Sequence, residues 1–210
     1  MDLTAIVPLK ALETAKGRLS LELDAHARQE LATWMFQRVV KVCLAALSVT
    51  RVLVIAGDER SAAVARGLPV DVALEPRRGL ARALAHADVM TRDAPATVVI
   101  AADLPLLTPA DVDAMAAAGG DEAGIVLAPT EDGGTAGLLR RPGGAMPTAY
   151  GPGSAALHRA LAAEHGLPCV ELRRRGFALD VDTPRQLADA GRSDAAVSEL
   201  LRVLSSRTHT

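Results

Sequence analysis

Three apolar runs, Thr4–Leu9, Arg51–Ala56 and Thr97–Ala101, are continuous rather than alternating. A strand with one wet face shows apolar residues at every second position, so these runs ask for cover on both faces. Shorter runs at Val70–Leu74, Gly124–Ala128, Gly137–Arg140 and Cys169–Leu172 read as further strands. Helical periodicity between them predicts helices near Ala25–Leu47, Arg60–Arg66, Leu80–Thr91, Pro109–Ala118, Ser154–His165 and Pro184–Ala190. The order is a βαβ series, hence an α/β chain with a sheet between helical layers. From Glu122 to Glu171 glycines multiply and the rhythm breaks, which predicts an antiparallel excursion on the same sheet. With 210 residues, half of them apolar, one domain is expected over 1–192, followed by a C-terminal helix and a frayed polar tail over 193–210.

Composition removes several functions. A net charge of −2 gives no bulk attraction to nucleic acid or anionic membranes, and four aromatic residues (two Phe, one Trp, one Tyr) make poor platforms for stacked bases. The N-terminus MDLTAIVPLK is not a signal peptide, and no run approaches the ~18 apolar residues that span a bilayer. A cytoplasmic protein, monomeric or homodimeric, is the expectation. Cys43 and Cys169 stand alone in apolar segments, with no CxxC pair, and both read as buried hydrophobes. His26, His86, His165 and His209 have no metal-ligand spacing, and neither HExxH nor GxSxG occurs.

The run VVIAADLPLLTP ends its strand on Asp103. Asp often opens a turn, and Pro105 follows closely. Helix capping is already supplied, because Thr108-Pro109-Ala110-Asp111 places Thr at the N-cap, Pro at the first helical position and an acid at N3. Ligands of open α/β sheets bind outside the carboxyl ends of the strands, which is where Asp103 lies.

FALDVDTPRQL repeats this grammar: Thr183 caps, Gln186 completes a capping box, and Asp180 and Asp182 precede it. In extended backbone, residues two apart share a side, ~6.5 Å from each other. Two such carboxylates repel unless a cation lies between them. One reading is Mg²⁺ held by Asp103, Asp180 and Asp182, since this ion takes one or two carboxylates together with substrate phosphates. The other is a solvated acidic turn, or ion pairs with Arg173–Arg175.

Lysine is scarce, with three against 20 arginines. Two of them, Lys10 and Lys16, follow the first strand together with Arg18. Such a cationic loop suits a polyphosphate, although it is not a P-loop. EDGGTAGLL offers Gly133 and Gly134 before Thr135, either as a hairpin turn or as backbone a ligand can approach. In YGPGSAALHRAL, Gly151-Pro152-Gly153-Ser154 opens a helix with Ser154 as N-cap, and a helix N-terminus can receive a phosphate or carboxylate. His158, one turn on, either faces that anion or is structural. The formal GxGxxA over Gly151, Gly153 and Ala156 is rejected as a dinucleotide fingerprint: it falls late in the chain and contains Pro152.

Taken in order, VPLKALETAKGRL, IAADLPLLTP, GGTAGLL, GPGSAALH and LDVDTP resemble the 2-phospho-L-lactate guanylyltransferases of coenzyme F-420 biosynthesis and their phosphoenolpyruvate-using relatives, over residues 4–190. The resemblance implies a single-domain, nucleotide-diphospho-sugar-transferase-like fold, Rossmann-like and of the GT-A type. It implies that GTP and a small phosphorylated carboxylic acid give a guanylyl diphosphate adduct and pyrophosphate, with Mg²⁺ on Asp103, Asp180 and Asp182. Lys10, Lys16, Arg18 and Gly79 would then meet the nucleotide, with Lys16, Arg18 and Asp103 catalytic. Thr135, Gly151 and Ser154 would bind the acceptor. The chain departs from the family at Gly79-Leu80-Ala81, where relatives usually read GLN, and at Ala136 in place of the Asn of GGTN; Arg78 or Arg82 stand beside the first departure. A glycosyltransferase of similar fold, or a silent nucleotide-binding module, would share many of these features.

Overall fold

The computed structural model describes residues 2–75 and 79–207. Seven strands, β1 (Leu3–Leu9), β2 (Val49–Ala56), β3 (Asp71–Leu74), β4 (Ala96–Ile100), β5 (Gly124–Pro129), β6 (Thr135–Arg141) and β7 (Cys169–Glu171), form one sheet in the order β3-β2-β1-β4-β6-β5-β7. β6 alone runs against the others; β5 and β7 run with the parallel set. The expected antiparallel excursion is therefore a single reversed strand. It pairs Val99 with Leu138 on one side and Val126 with Leu139 on the other.

Cover on both faces comes from α1 (Ala25–Ala45), α2 (Glu59–Arg66), α3 (Leu80–Met90), α4 (Pro109–Ala118), α5 (Ser154–Glu164), α6 (Arg175–Ala178), α7 (Pro184–Ser193) and α8 (Ala195–Arg207). Alternate strand residues serve the two layers. Val7, Val54, Val98 and Leu139 meet Phe36 and Val39 of α1, Met115 of α4 and Phe177 of α6. Ile6, Leu53, Val99 and Leu138 meet Ala83 and Leu84 of α3 and Ala155 of α5. In the central strands β1, β4, β5 and β6 nearly every position is buried on one face or the other, which leaves no room for polar alternation; the edge strands β3 and β7 are only partly covered. Helix starts follow the sequence grammar: Asp24 and Asp58 cap α1 and α2, and Thr108 and Thr183 form full capping boxes on α4 and α7.

A third core joins the C-terminal helices to the rest. Val197 and Leu204 of α8 are buried with Leu187 of α7, Val181, and Leu31 and Met35 of α1. The helix reaches Arg207, into the segment read as a frayed tail. Cys43 is fully buried, and burial pushes its thiol up to about 12. Cys169 is only partly buried, because β7 is a three-residue edge strand with one open side. Among the described residues, no helix is long and apolar enough to cross a membrane.

Candidate active site

β1 ends at Leu9, and the chain turns through two short 3-10 turns, Leu12–Thr14 and Gly17–Leu19. Gly57, at the end of β2, braces this loop: its N–H donates to Leu9 O at 2.8 Å, and a Cβ there would meet Ala11 N at 2.9 Å. Between the turns Lys16 adopts φ 53, ψ 39, the left-handed region that side chains other than glycine rarely occupy. Its side chain is turned inward and only 7% exposed. Lys16 Nζ donates to Asp103 Oδ2 at 2.5 Å and to Asp182 Oδ1 at 2.9 Å.

Asp103 lies in the turn after β4, and its backbone carbonyl accepts from Val181 N at 3.2 Å. That single backbone bond draws the 180–182 segment onto the end of β4. The capping box of α7 adds precision, since Gln186 Oε1 accepts from Asp182 N at 3.0 Å and Thr183 N at 2.9 Å. Gln186 Nε2 also donates to Asp180 Oδ1 at 3.3 Å. The pKa values of Asp180 and Asp182 are shifted in opposite directions. Burial works to raise Asp182, but Lys16 overrides it, helped by Arg18 and Lys10, and holds the carboxyl below its ordinary range. Asp180 has no such cation. Burial and the charges of Asp103, Asp132 and Asp182 push it up to about 6.

Of Arg173–Arg175, the alternative partners for these carboxylates, Arg173 and Arg174 are engaged elsewhere, with Glu171 and Asp111. The cation between Asp103 and Asp182 is Lys16, which the sequence placed on the triphosphate instead. Among the described residues, no three acidic, His or Cys side chains form a ready metal cage. The donor set nevertheless suits a hard divalent ion that arrives with phosphate oxygens: hard carboxylate oxygens, one of them, on Asp180, lacking a counter-charge.

These groups line a cavity of about 310 Å³ together with Lys10, Leu80, Thr135 and Tyr150. Asp180 and Asp182 also border an adjoining hollow that holds Arg18, Asp132 and Arg185. Arg18 Nη1 stands 4.0 Å from Asp182 Oδ2, with its side chain 74% exposed. Gly79, with φ 130, is the N-cap of α3, next to Leu80. Arg82 lies in the first turn of α3, and Arg78 lies outside the described residues.

Thr135 opens β6 and is buried beside α5. Ser154 Oγ donates to Thr135 Oγ1 at 3.0 Å, and His158 Nδ1 lies 3.0 Å from the same oxygen. Ser154 is the first residue of the helix rather than its cap; Gly153, at φ 68, is the N-cap. The Ser154, Ala155 and Ala156 amides donate to Gly151 O, Gly133 O and Gly153 O at 3.1 Å each. These amides are therefore engaged rather than free as expected, and the hydroxyl that reaches the cavity is that of Thr135 on β6, with the buried Ser154 donating to it. Two features escaped the sequence reading: Asp132, whose carboxylate accepts from Thr130 Oγ1 and Gly134 N, and Tyr150, whose ring stands edge-on to His158 at 4.9 Å. Asp132 lies within EDGG, whose glycines carry the stronger local signal.

Residues 3–204 match the model of the family described as Guanylyl transferase CofC like. The chain belongs to this family. It is thereby a nucleotidyltransferase, which decides against the glycosyl transfer and the silent module that a similar fold could serve. A phosphoenolpyruvate guanylyltransferase of Sphaerobacter thermophilus is 36% identical over 202 residues, covering 94% of this chain and 97% of that one. A 3-phospho-D-glycerate guanylyltransferase of Colwellia psychrerythraea is 28% identical over 208 residues, covering 98% and 94%. Among solved structures, a putative nucleotide-diphospho-sugar transferase of Desulfovibrio desulfuricans superimposes with a TM-score of 0.77 at 16% identity, covering 95% and 94%, and shows the fold.

Proposed function

We propose that this guanylyltransferase binds GTP with Mg²⁺ and transfers GMP to phosphoenolpyruvate, releasing pyrophosphate, as a step of coenzyme F-420 biosynthesis. The reading rests on one observation above all: Lys16, Asp103, Asp180, Asp182 and Thr135 line one cavity at the carboxyl ends of β1 and β4. The acceptor follows from the relatives, since those at 36–39% identity carry the phosphoenolpyruvate name and the 3-phospho-D-glycerate enzyme is more distant.

An oxygen of the acceptor's phosphate attacks the α-phosphorus of GTP as the bond to the β,γ-diphosphate breaks. That oxygen is already anionic, so no general base is needed, and catalysis reduces to positioning and charge neutralisation. Lys16 meets the charge gathering on the departing diphosphate, with Lys10 and Arg18 extending the cationic side of the site. Thr135 and Ser154 hold an oxyanion of the acceptor through their hydroxyls, and Gly151 lets its backbone come close. Asp180 and Asp182, with Asp103, would hold Mg²⁺, which supplies neutralisation of phosphate charge.

The test is a matrix of ATP, CTP, GTP and UTP against phosphoenolpyruvate, 2-phospho-L-lactate and 3-phosphoglycerate, reading pyrophosphate over a Mg²⁺ titration. Release is expected with GTP and phosphoenolpyruvate. Asp180→Asn and Asp182→Asn should lose most of that turnover at every Mg²⁺ concentration while remaining folded. Wild-type turnover from either variant would remove the metal reading, and silence across the whole matrix would remove the substrate assignment.

A further inference from the structure

His158 is fully buried on α5, one turn from the helix start, and does not line the cavity. Its Nε2 lies 3.0 Å from Ala149 N, with the backbone N–H donating. A backbone amide can only donate, so Nε2 must carry a lone pair. A neutral imidazole with a bare Nε2 carries its proton on Nδ1, and Nδ1 stands 3.0 Å from Thr135 Oγ1. A second proton on Nε2 would set two N–H groups against each other. The surroundings agree: burial, seconded by the Arg140 guanidinium, pushes His158 down to about 4, with Asp88 opposing. Arg140 is itself fully buried and paired with Asp88 Oδ1 at 2.7 Å, and the Tyr150 ring closes the remaining side.

The consequence falls on Thr135. Its oxygen accepts the His158 Nδ1 proton and shares one further hydrogen bond with Ser154. Two hydroxyls 3.0 Å apart use one proton between them, so one remains. With Nδ1–H filling an acceptor direction of Thr135, that remaining proton is left to point away from the buried side. We infer that His158 is a positioning residue: fixed as the Nδ1–H tautomer by Ala149 N, it turns the Thr135–Ser154 hydroxyl pair into an outward hydrogen-bond donor for a carboxylate or phosphate oxygen of the acceptor. This rests on the reading that Thr135 meets the acceptor. Without the imidazole, Thr135 could turn its own proton inward and present a lone pair to an anion, which repels it.

Two measurements separate this inference from the reading it rests on. The first is ¹⁵N NMR of the histidine side chains in the wild-type protein without substrates, assigned with His158→Asn. A protonated Nδ1 and a bare Nε2 are expected from pH 8 down to pH 5. An Nε2–H tautomer, or an imidazolium at pH 7, overturns the inference. The second is steady-state kinetics of His158→Phe and His158→Asn. Asn can place an N–H near the Nδ1 position; Phe cannot. His158→Phe should raise the KM for phosphoenolpyruvate about tenfold or more, while the KM for GTP stays within about twofold, and His158→Asn should recover much of the loss. An equal rise in both KM values, or no advantage of Asn over Phe, means that His158 only fills space. If the Phe variant fails to fold, the spectrum and the Asn variant decide. If the wild type releases no pyrophosphate with any acceptor, the substrate assignment fails, and the spectrum still decides the tautomer.

Discussion

Lys16 combines a positive φ with a side chain shared between two carboxylates. The backbone strain costs of order 1–3 kcal/mol, and such strain persists where surrounding contacts over-determine it. Here two charge-assisted bonds do so. Burial alone would lower the Lys16 pKa; Asp103 and Asp182 outweigh it and hold the ammonium charged. Lys16→Met keeps the length and removes the charge, leaving Asp103 and Asp182 facing each other uncompensated. Turnover should fall about a hundredfold or more, in line with the loss of one donor aimed at developing charge. Pyrophosphate release checks this, and near-wild-type rates would remove Lys16 from the chemistry. His158 yields a prediction of a different kind. Its native pKa near 4 lies below the ordinary 6.5, so the unfolded chain binds its proton first as pH falls. This contribution to stability is complete above pH 6.5 and is lost as pH drops toward 4, with a span on the order of 3 kcal/mol. The stability gap between wild type and His158→Phe in urea should therefore narrow from pH 7 to pH 4.5; a constant gap would contradict the neutral imidazole.

At the scale of elements, the segment from Arg174 to Thr183 delivers Asp180 and Asp182 to the site, and α4 anchors it. Arg174 Nε donates to Asp111 Oδ1 at 2.6 Å, while Asp111 Oδ2 accepts from Thr108 N at 3.0 Å and closes the α4 capping box. Gly176 packs so closely on the Asp111 carboxylate that a Cβ would overlap it. Gly176→Ala should cost about 1–3 kcal/mol through overpacking and shift the carboxylate pair. The expected result is a lowered Tm together with lost turnover, and unchanged values in both would show that the anchor is idle. Both capping boxes were legible beforehand, because they are written within four consecutive residues. α6 was not, since four residues carry no period. Lys16 as the partner of Asp103 and Asp182 was equally hidden: those contacts span 87 and 166 residues of chain, and no local pattern encodes them.

For the whole molecule, strand and helix positions were legible because both faces of the sheet are covered, and the strands therefore had to be continuously apolar. The direction of β5 and β7 was not, since run length is the same for parallel and antiparallel strands of three to six residues. The depth of the C-terminus was likewise hidden. The ending is polar in sequence, yet Val197 and Leu204 are 1% exposed against α1 and α7. These contacts tie α8 to the helix whose residues Ala32 and Met35 line the cavity. Each fully buried aliphatic side chain contributes about 1.5–3 kcal/mol. Truncation after Asp194 removes two of them and bares Leu31 and Met35. A protein of this size loses about 2–4 °C of Tm per kcal/mol, so the shortened chain should melt about 10 °C lower or more. Asp194 remains to pair with Arg38 at 2.6 Å, which keeps one tie between the end of α7 and α1. Turnover measured well below the new Tm should then survive, since none of the charged groups at the site lies on α8. An unchanged Tm would make α8 an appendage; a collapse of turnover in a protein that is still folded would mean that α8 sets the position of the α1 wall.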